Sequence, residues 1–197
     1  MLSGRLKAFF ESFPVKYLAI IFTVVVIIYG GLLRDYFIAD DFNILRYVYD
    51  APHLKIIMEN FTGLWLGGSV NNIYRPVATI LFCIFQQIFG NTSLGYHLVL
   101  VLGCCFNSCL VFLVAHRLLN KENNLLALSA GILYAVFPSH PNVVMLVSSL
   151  HIVLYTLFSL VSLLFYIIYR QEKRIGKLII SFAFFYPWDL TKVWYPG

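Results

Sequence analysis

The sequence predicts an all-α membrane protein: a polytopic bundle of transmembrane helices with short juxtamembrane helices in a large first outer loop. Of its 197 residues, 60% are hydrophobic and only 12% are charged, and the mean hydropathy is +0.82. Water-soluble domains contain roughly 25% charged residues. Several apolar stretches also approach the ~20 residues that a helix needs to cross the hydrocarbon core. Together these two observations exclude a single water-soluble core.

The distribution of charge and of cysteine excludes two further classes of protein. The formal net charge is +5, but the Lys and Arg residues lie in short clusters between apolar stretches. Such clusters are typical of membrane topology and do not indicate a nucleic-acid partner. The cysteines lack metal-ligand spacing, and we interpret them as small buried side chains. They are Cys83, Cys104, Cys105 and Cys109.

The first predicted span covers about residues 15–33. Basic residues precede it, its apolar run is long for a signal-peptide core, and no small-residue cleavage site follows it. We therefore expect an uncleaved span with the N-terminus in the cytoplasm. The polar outer loop is predicted over residues 34–95. Within that loop, Asp41 to Asp50 has one apolar helical face and ends before Pro52, and a second short element is expected from His53 to Phe61.

The apolar stretch at about residues 76–89 predicts a helix that lies in the interface without crossing the membrane. Its ~13 apolar residues would form a helix of ~20 Å, which is short of the ~30 Å core. With this assignment the large basic clusters all face the cytoplasm, in agreement with the positive-inside rule. The remaining spans are predicted at about residues 96–119, 125–141 and 148–169, followed by a partial span at 178–186 that a proline cuts short.

Two adjacent carboxylates, Asp40 and Asp41, follow the first span and face the outside in this topology. Each raises the proton affinity of the other, which favours general-base chemistry near neutral pH. Helix capping is the alternative, because an aspartate before Phe42 is a good N-cap, and one acid can cap while the other acts. His97 and His140 are predicted at the same outer face.

Arg75 is the strongest candidate for binding a phosphate, because a guanidinium fork fits phosphate oxygens. Arg34, Arg46 and Lys55 are weaker candidates. The alternative for each cation is contact with lipid headgroups at the interface. Tyr74 is predicted to pack on sugar or lipid, or to be an ordinary interfacial tyrosine. The His and acidic residues are too scattered for a metal cage, so we expect neither a metal nor a cofactor.

A series of short motifs between residues 38 and 150 resembles one known group of enzymes. In chain order the motifs are Ala39-Asp40-Asp41-Phe42, Tyr74-Arg75-Pro76, Phe89-Gly90-Asn91 with Gly95-Tyr96-His97-Leu98, Asn107 with Leu110-Val111 and Arg117-Leu118-Leu119, and Phe137-Pro138-Ser139-His140-Pro141. This order resembles the N-terminal part of lipid-linked-sugar-dependent glycosyltransferases of the GT-C fold. The resemblance is to bacterial relatives of protein O-mannosyltransferases and of membrane mannosyltransferases with tetratricopeptide repeats.

The resemblance implies transfer of a sugar from a polyprenyl-phosphate carrier to an acceptor at the extracytoplasmic face. The acceptor would be a hydroxyl of a glycan, a lipid or a protein, and Asp40 or Asp41 would be the catalytic base. Asn142 stands where such enzymes usually have an acid. The residues expected to bind the donor phosphate or the substrate are Arg75, Tyr74, His97, His140 and Asn142.

Enzymes of this group have many more spans, so the chain is expected to be a truncated form of one. Its expected location is the bacterial inner membrane, as a multi-pass protein. A transporter-like protein and a non-catalytic membrane fragment are the alternatives. Transporters often carry ionisable groups at mid-membrane, whereas the acids here gather in the outer loop, and this difference favours chemistry at the membrane surface.

Overall fold

The computed structural model describes residues 15–50, 52–62, 75–119, 123–137 and 140–191. Regular structure in these ranges is entirely helical, which confirms the all-α part of the prediction; the polytopic bundle stays a prediction. The helices are α1 (Val15–Tyr29), α2 (Asp41–Asp50), α3 (His53–Thr62), α4 (Pro76–Phe89), α5 (Ser93–Leu118), α6 (Asn124–Ala135), α7 (His140–Met145), α8 (Leu150–Glu172) and α9 (Ile175–Thr191). Two short 3-10 segments, Gly30–Arg34 and Val147–Ser149, extend α1 and precede α8.

In the part of the chain that the structure describes, three helical segments are long and apolar enough to cross a membrane. They are Val15–Arg34, Ser93–Leu118 and Val147–Glu172, and they make this chain a membrane protein. Helix α4 has 14 residues and is therefore about 21 Å long. That length suits the predicted interfacial helix at 76–89, although its position relative to the membrane stays a prediction.

Helix α5 is the centre of the bundle, and it packs against α1, α6 and α8. Its side chains Tyr96, Leu100 and Phe112 are almost completely buried. Close packing of α6 depends on Gly131, because a Cβ there would lie 2.8 Å from Ile21 Cδ1. Small residues allow helix backbones to approach in this way, and lipid provides no hydrophobic force to drive helices together.

Polar side chains join α8 to its neighbours. Asn107 on α5 donates from Nδ2 to the Val153 carbonyl at 3.1 Å. Ser162 on α8 and Ser181 on α9 donate to each other's backbone carbonyl, at 2.9 and 2.8 Å. Bonds between transmembrane helices are typically worth about 0.6 kcal/mol each, so these contacts orient the helices more than they stabilise them.

The predicted span at 125–141 is divided into two helices. Helix α6 ends at Ala135 after 12 residues, or about 18 Å, and α7 begins at His140. A proline follows Phe137, and the residue before a proline avoids the helical region. By contrast, α9 continues past Pro187 to Thr191. The sequence had predicted an end there, but a proline removes only one helix hydrogen bond and can leave the helix continuous.

Candidate functional site

Asp41 is a buried carboxylate that joins the outer loop to the start of α8. Its side chain is 0% exposed. Oδ1 accepts a hydrogen bond from the Ser148 backbone N–H at 2.7 Å, and Oδ2 accepts one from the Ile38 N–H at 3.3 Å. The first bond is as short as a charge-assisted bond should be. Asp41 therefore holds two distant segments of the chain together.

Asp40 has the opposite environment, since it is exposed to solvent. Its backbone carbonyl accepts from the N–H groups of Asn43 and Ile44, at 3.1 and 3.3 Å, so Asp40 is the N-cap position immediately before α2. The preceding residue, Ala39, has a φ of +48°, a left-handed conformation that alanine rarely adopts. We call residues 38–41 the acidic turn. Its tight bend at Ala39 leaves Asp40 in solvent and Asp41 in the core.

An aromatic cluster fixes this turn against the N-terminal end of α5. Phe37 is 4% exposed, and its ring packs edge-on against Tyr96 with centroids 5.4 Å apart. The Tyr96 hydroxyl donates to the Gly90 carbonyl at 3.0 Å. Position 95 has room only for glycine, because a Cβ there would lie 2.4 Å from the Phe89 ring. The Gly95-Tyr96 motif therefore has a packing role.

His97 is the next residue on α5, and it is completely buried. Its Nδ1 lies 3.4 Å from the Val144 carbonyl of α7. A carbonyl only accepts, so Nδ1 is the protonated nitrogen in this contact. Nε2 has no hydrogen-bond partner among the described residues. His97 thus binds α7 on one side and leaves an acceptor nitrogen on the other.

Arg75 lies just before α4, and its guanidinium is within electrostatic range of His151. His151 is buried, and its Nδ1 contacts the Ser148 carbonyl at 3.0 Å. Ser148 is thus bound from both sides: Asp41 accepts its N–H, and His151 binds its carbonyl. We call residues 144–151 the outer turn, after the membrane face predicted for it; Asp41 and His97 both contact it.

Sequence reasoning assigned His151 no role, although one signal was present. An ionisable residue at the start of an apolar span is costly and is usually retained for a reason. Ser148 had no such signal, because its contribution is made by its backbone, which every residue except proline shares.

A buried polar network connects three helices of the outer loop. Asn60 on α3 is 1% exposed and donates to the Tyr47 hydroxyl on α2 at 3.1 Å. Thr79 on α4 is also 1% exposed, and its hydroxyl lies 3.3 Å from Asn60 Oδ1 and 3.1 Å from the Arg75 carbonyl. Burial raises the pKa of Tyr47 and keeps it a neutral hydroxyl. The network fixes the segment before α4 relative to α2.

The other predicted site residues are His140, Asn142 and Tyr74. The His140 ring packs on Tyr134 and Phe137, with centroids 4.4 and 5.9 Å apart. Asn142 is exposed, and its carbonyl accepts from the Leu146 N–H. Tyr74 lies outside the described residues. In the part of the chain that the structure describes, no three His, Cys, Asp or Glu side chains are grouped to hold a metal ion.

Comparison with known proteins finds similarity to part of two protein O-mannosyl-transferases. No family model matches the chain, and no solved structure matches it. Over 123 residues the chain is 34% identical to the protein O-mannosyl-transferase Tmtc1 of Drosophila melanogaster. It is 32% identical, over the same length, to a protein O-mannosyl-transferase of Caenorhabditis elegans.

The two similarities cover 60% and 61% of this chain but only 14% and 18% of the relatives. The chain therefore spans less than a fifth of the length of the curated relatives it matches. Both relatives are animal proteins, and the predicted bacterial origin stays a prediction. Within these limits, the chain is similar to part of a mannosyltransferase, as its motifs predicted.

Proposed function

We propose that the chain forms part of a membrane glycosyltransferase that moves a sugar from a polyprenyl-phosphate donor to a hydroxyl acceptor at the extracytoplasmic face. The observation that best supports this proposal is the division of the two adjacent acids, with Asp40 in solvent and Asp41 in the core. The similarity to two O-mannosyl-transferases supports sugar transfer as the reaction class. Because both relatives are named as mannosyl-transferases, mannose is the sugar chosen for the test below.

Asp40 is the proposed general base. Transfer to a hydroxyl needs a group that takes the acceptor proton while the new bond to the anomeric carbon forms. The bond between that carbon and the phosphate oxygen breaks at the same time, and the polyprenyl phosphate leaves with the electron pair. Asp40 is accessible to an acceptor. Both oxygens of Asp41 already accept backbone N–H groups inside the protein.

Asp41 is a positioning residue in this scheme. Its bond to Ser148 holds the acidic turn against the outer turn, and the Arg75 guanidinium lies within electrostatic range of His151 in that same turn. A guanidinium compensates charge on a leaving phosphate through paired N–H donors. We assign Arg75 that role, and we assign His97 a supporting one, because its ring anchors α7.

The proposed topology has the N-terminus in the cytoplasm, within a GT-C-type arrangement in the plasma membrane. The basic clusters between the predicted spans support that orientation. A transporter-like protein is less well supported, because the acids of the described chain lie in the outer loop and near the ends of α8 and α9, and none lies in the middle of α1, α5 or α8. A non-catalytic fragment is the remaining alternative, and it predicts no transfer.

The test compares Asp40→Asn with Asp50→Asn in membranes from cells that express the full chain. Radiolabelled polyprenyl-phosphate mannose is added, and label on membrane acceptors is counted. Asparagine also begins helices well, so Asp40→Asn should fold. Loss of a general base typically lowers the rate 10²–10⁴-fold. Asp50 is exposed and pairs with Arg46 at the other end of α2, so its variant should keep full activity.

Two results would contradict the proposal at separate points. Equal transfer by wild type and Asp40→Asn would remove Asp40 as the base. Transfer by wild-type membranes no greater than by membranes lacking the protein would remove the glycosyltransferase itself.

A further inference from the structure

A cavity of about 520 Å³ lies between α5, α6, α7 and α8, away from the acidic turn. Ligand pockets generally occupy ~300–1,000 Å³, so this cavity is large enough for a small molecule or part of a lipid. Its walls are mainly apolar and aromatic. It exists because α6 ends after about 18 Å, which leaves the space beside α5 and α8 only partly filled.

The cavity has an apolar mouth and a polar inner end. At the mouth, Leu133 is 66% and Phe137 is 55% exposed. At the inner end, Asn107 and Val144 are each 1% exposed. Asn107 lies near the middle of the 26-residue α5. A mouth at the level of the middle of α5 would open toward the hydrocarbon core, so a ligand would enter from the bilayer.

Asn107 presents an unused hydrogen-bond acceptor in the cavity. Its Nδ2 donates to the Val153 carbonyl at 3.1 Å, which fixes the orientation of the amide. Oδ1 is buried without a partner in the described part of the chain. The Tyr134 hydroxyl oxygen lies within hydrogen-bond range of the Asn107 and Thr156 side chains as an acceptor, and the Thr156 hydroxyl donates to the Ile152 carbonyl at 2.8 Å. A buried acceptor without a donor costs roughly 1–3 kcal/mol, and a ligand donor would remove that cost.

The His140 ring also lines this cavity, and it lies within hydrogen-bond range of the Tyr134 and Ala135 backbone carbonyls. Its Nδ1 is buried without a hydrogen-bond partner among the described residues, beside the Tyr134 and Phe137 rings. No Lys, Arg, Asp or Glu is among the described residues that line the cavity. An ionised headgroup would therefore be buried without a counter-charge, at high cost. The lining favours a neutral ligand with a hydroxyl donor.

We propose that this cavity binds a neutral single-chain lipid alcohol, whose hydroxyl donates to Asn107 Oδ1 and whose chain leaves through the mouth between Leu133 and Phe137. This ligand differs from the donor of the proposed reaction, which has an anionic phosphate and would meet Arg75. The inference goes beyond the proposed function and stands without it.

The test uses the purified full chain in lipid nanodiscs and a photoreactive diazirine analogue of hexadecanol. After irradiation, mass spectrometry maps the labelled peptides, with label expected on α6 and α8. Hexadecanol should displace the probe at about one tenth of the concentration needed for hexadecyl methyl ether, which lacks the donor. Hexadecyl phosphate should compete still more weakly. Equal competition by the ether or the phosphate would overturn the proposal, as would label spread evenly over lipid-facing helices.

Two variants test the assigned acceptor. Asn107→Leu should reduce labelling at least tenfold. Ser129→Ala on α6 should leave it unchanged, because Ser129 is exposed and does not line the cavity. Full labelling of Asn107→Leu would overturn the role of Oδ1. The competition series needs only wild-type protein, so it decides the question even if Asn107→Leu does not fold.

Discussion

Replacing Asp41 by alanine tests whether the buried acid holds the outer loop on the bundle. The substitution removes the acceptor of a 2.7 Å bond from Ser148 and of a 3.3 Å bond from Ile38. Hydrogen bonds to charged groups contribute about 1.5–3 kcal/mol each. The longer bond contributes little, and the cost of burying the charge is also removed. We therefore expect Asp41→Ala to lose about 2–3 kcal/mol of stability.

Asp41→Asn should lose less, about 1 kcal/mol, because the amide oxygen still accepts from Ser148. In a protein of this size 1 kcal/mol corresponds to roughly 2–4 °C in Tm. Alanine should therefore lower the Tm by about 5–10 °C and asparagine by about 3 °C. Asp50→Ala, in an exposed ion pair on the same helix, should leave the Tm nearly unchanged.

A thiol-reactive dye provides the assay, because Cys83, Cys104 and Cys105 are buried in the folded protein. Heating in detergent exposes them, and the rise in fluorescence gives the Tm. If Asp41→Ala melted within about 1 °C of wild type, the Ser148 bond would not be the anchor inferred here. If asparagine were as damaging as alanine, the charge would matter more than the geometry.

Two further predictions concern α4. Thr79→Val should lower the free energy of unfolding by about 1 kcal/mol, because it removes the hydroxyl between Asn60 and the Arg75 carbonyl. Thr79→Ser keeps the hydroxyl and should retain most of the stability. An equal Tm for wild type, Thr79→Val and Thr79→Ser would contradict the network. Burial raises the pKa of Cys83 to about 11. Because the thiolate is the reactive form, the rate of Cys83 labelling by maleimide should still rise about tenfold per pH unit between pH 8 and 10. In denatured protein the rate should level off near pH 9, and the same plateau in the folded protein would contradict the raised pKa.

The local architecture was largely predictable from the sequence. Helix α2 matches its predicted bounds, Asp41 to Asp50, and α4 matches residues 76–89. Both are marked by a proline and by a periodic apolar face, which are properties of a few neighbouring residues. Helix α6 ends at Ala135, three residues before Pro138, and whether residues 125–141 cross the membrane stays a prediction.

The assignment of site residues was less predictable. Asp40 and Asp41 are equivalent by pattern, and a single turn at Ala39 separates their environments. His97 and His140 were both predicted at the outer face, yet one binds the outer turn and the other lines a separate cavity. Titratable residues differ in role mainly through burial and partners, and neither is a local property of the chain.

Membrane character, helix positions and the acidic turn follow from composition and short-range periodicity, because hydrophobicity acts residue by residue along the chain. The different environments of Asp40 and Asp41 do not follow from composition or periodicity. They depend on a bond between Asp41 and Ser148, 107 positions apart. Only the packing of α1, α5 and α8 brings those two segments together. A contact between residues so far apart in the sequence is specified by the whole fold and not by the residues next to Asp41 or Ser148.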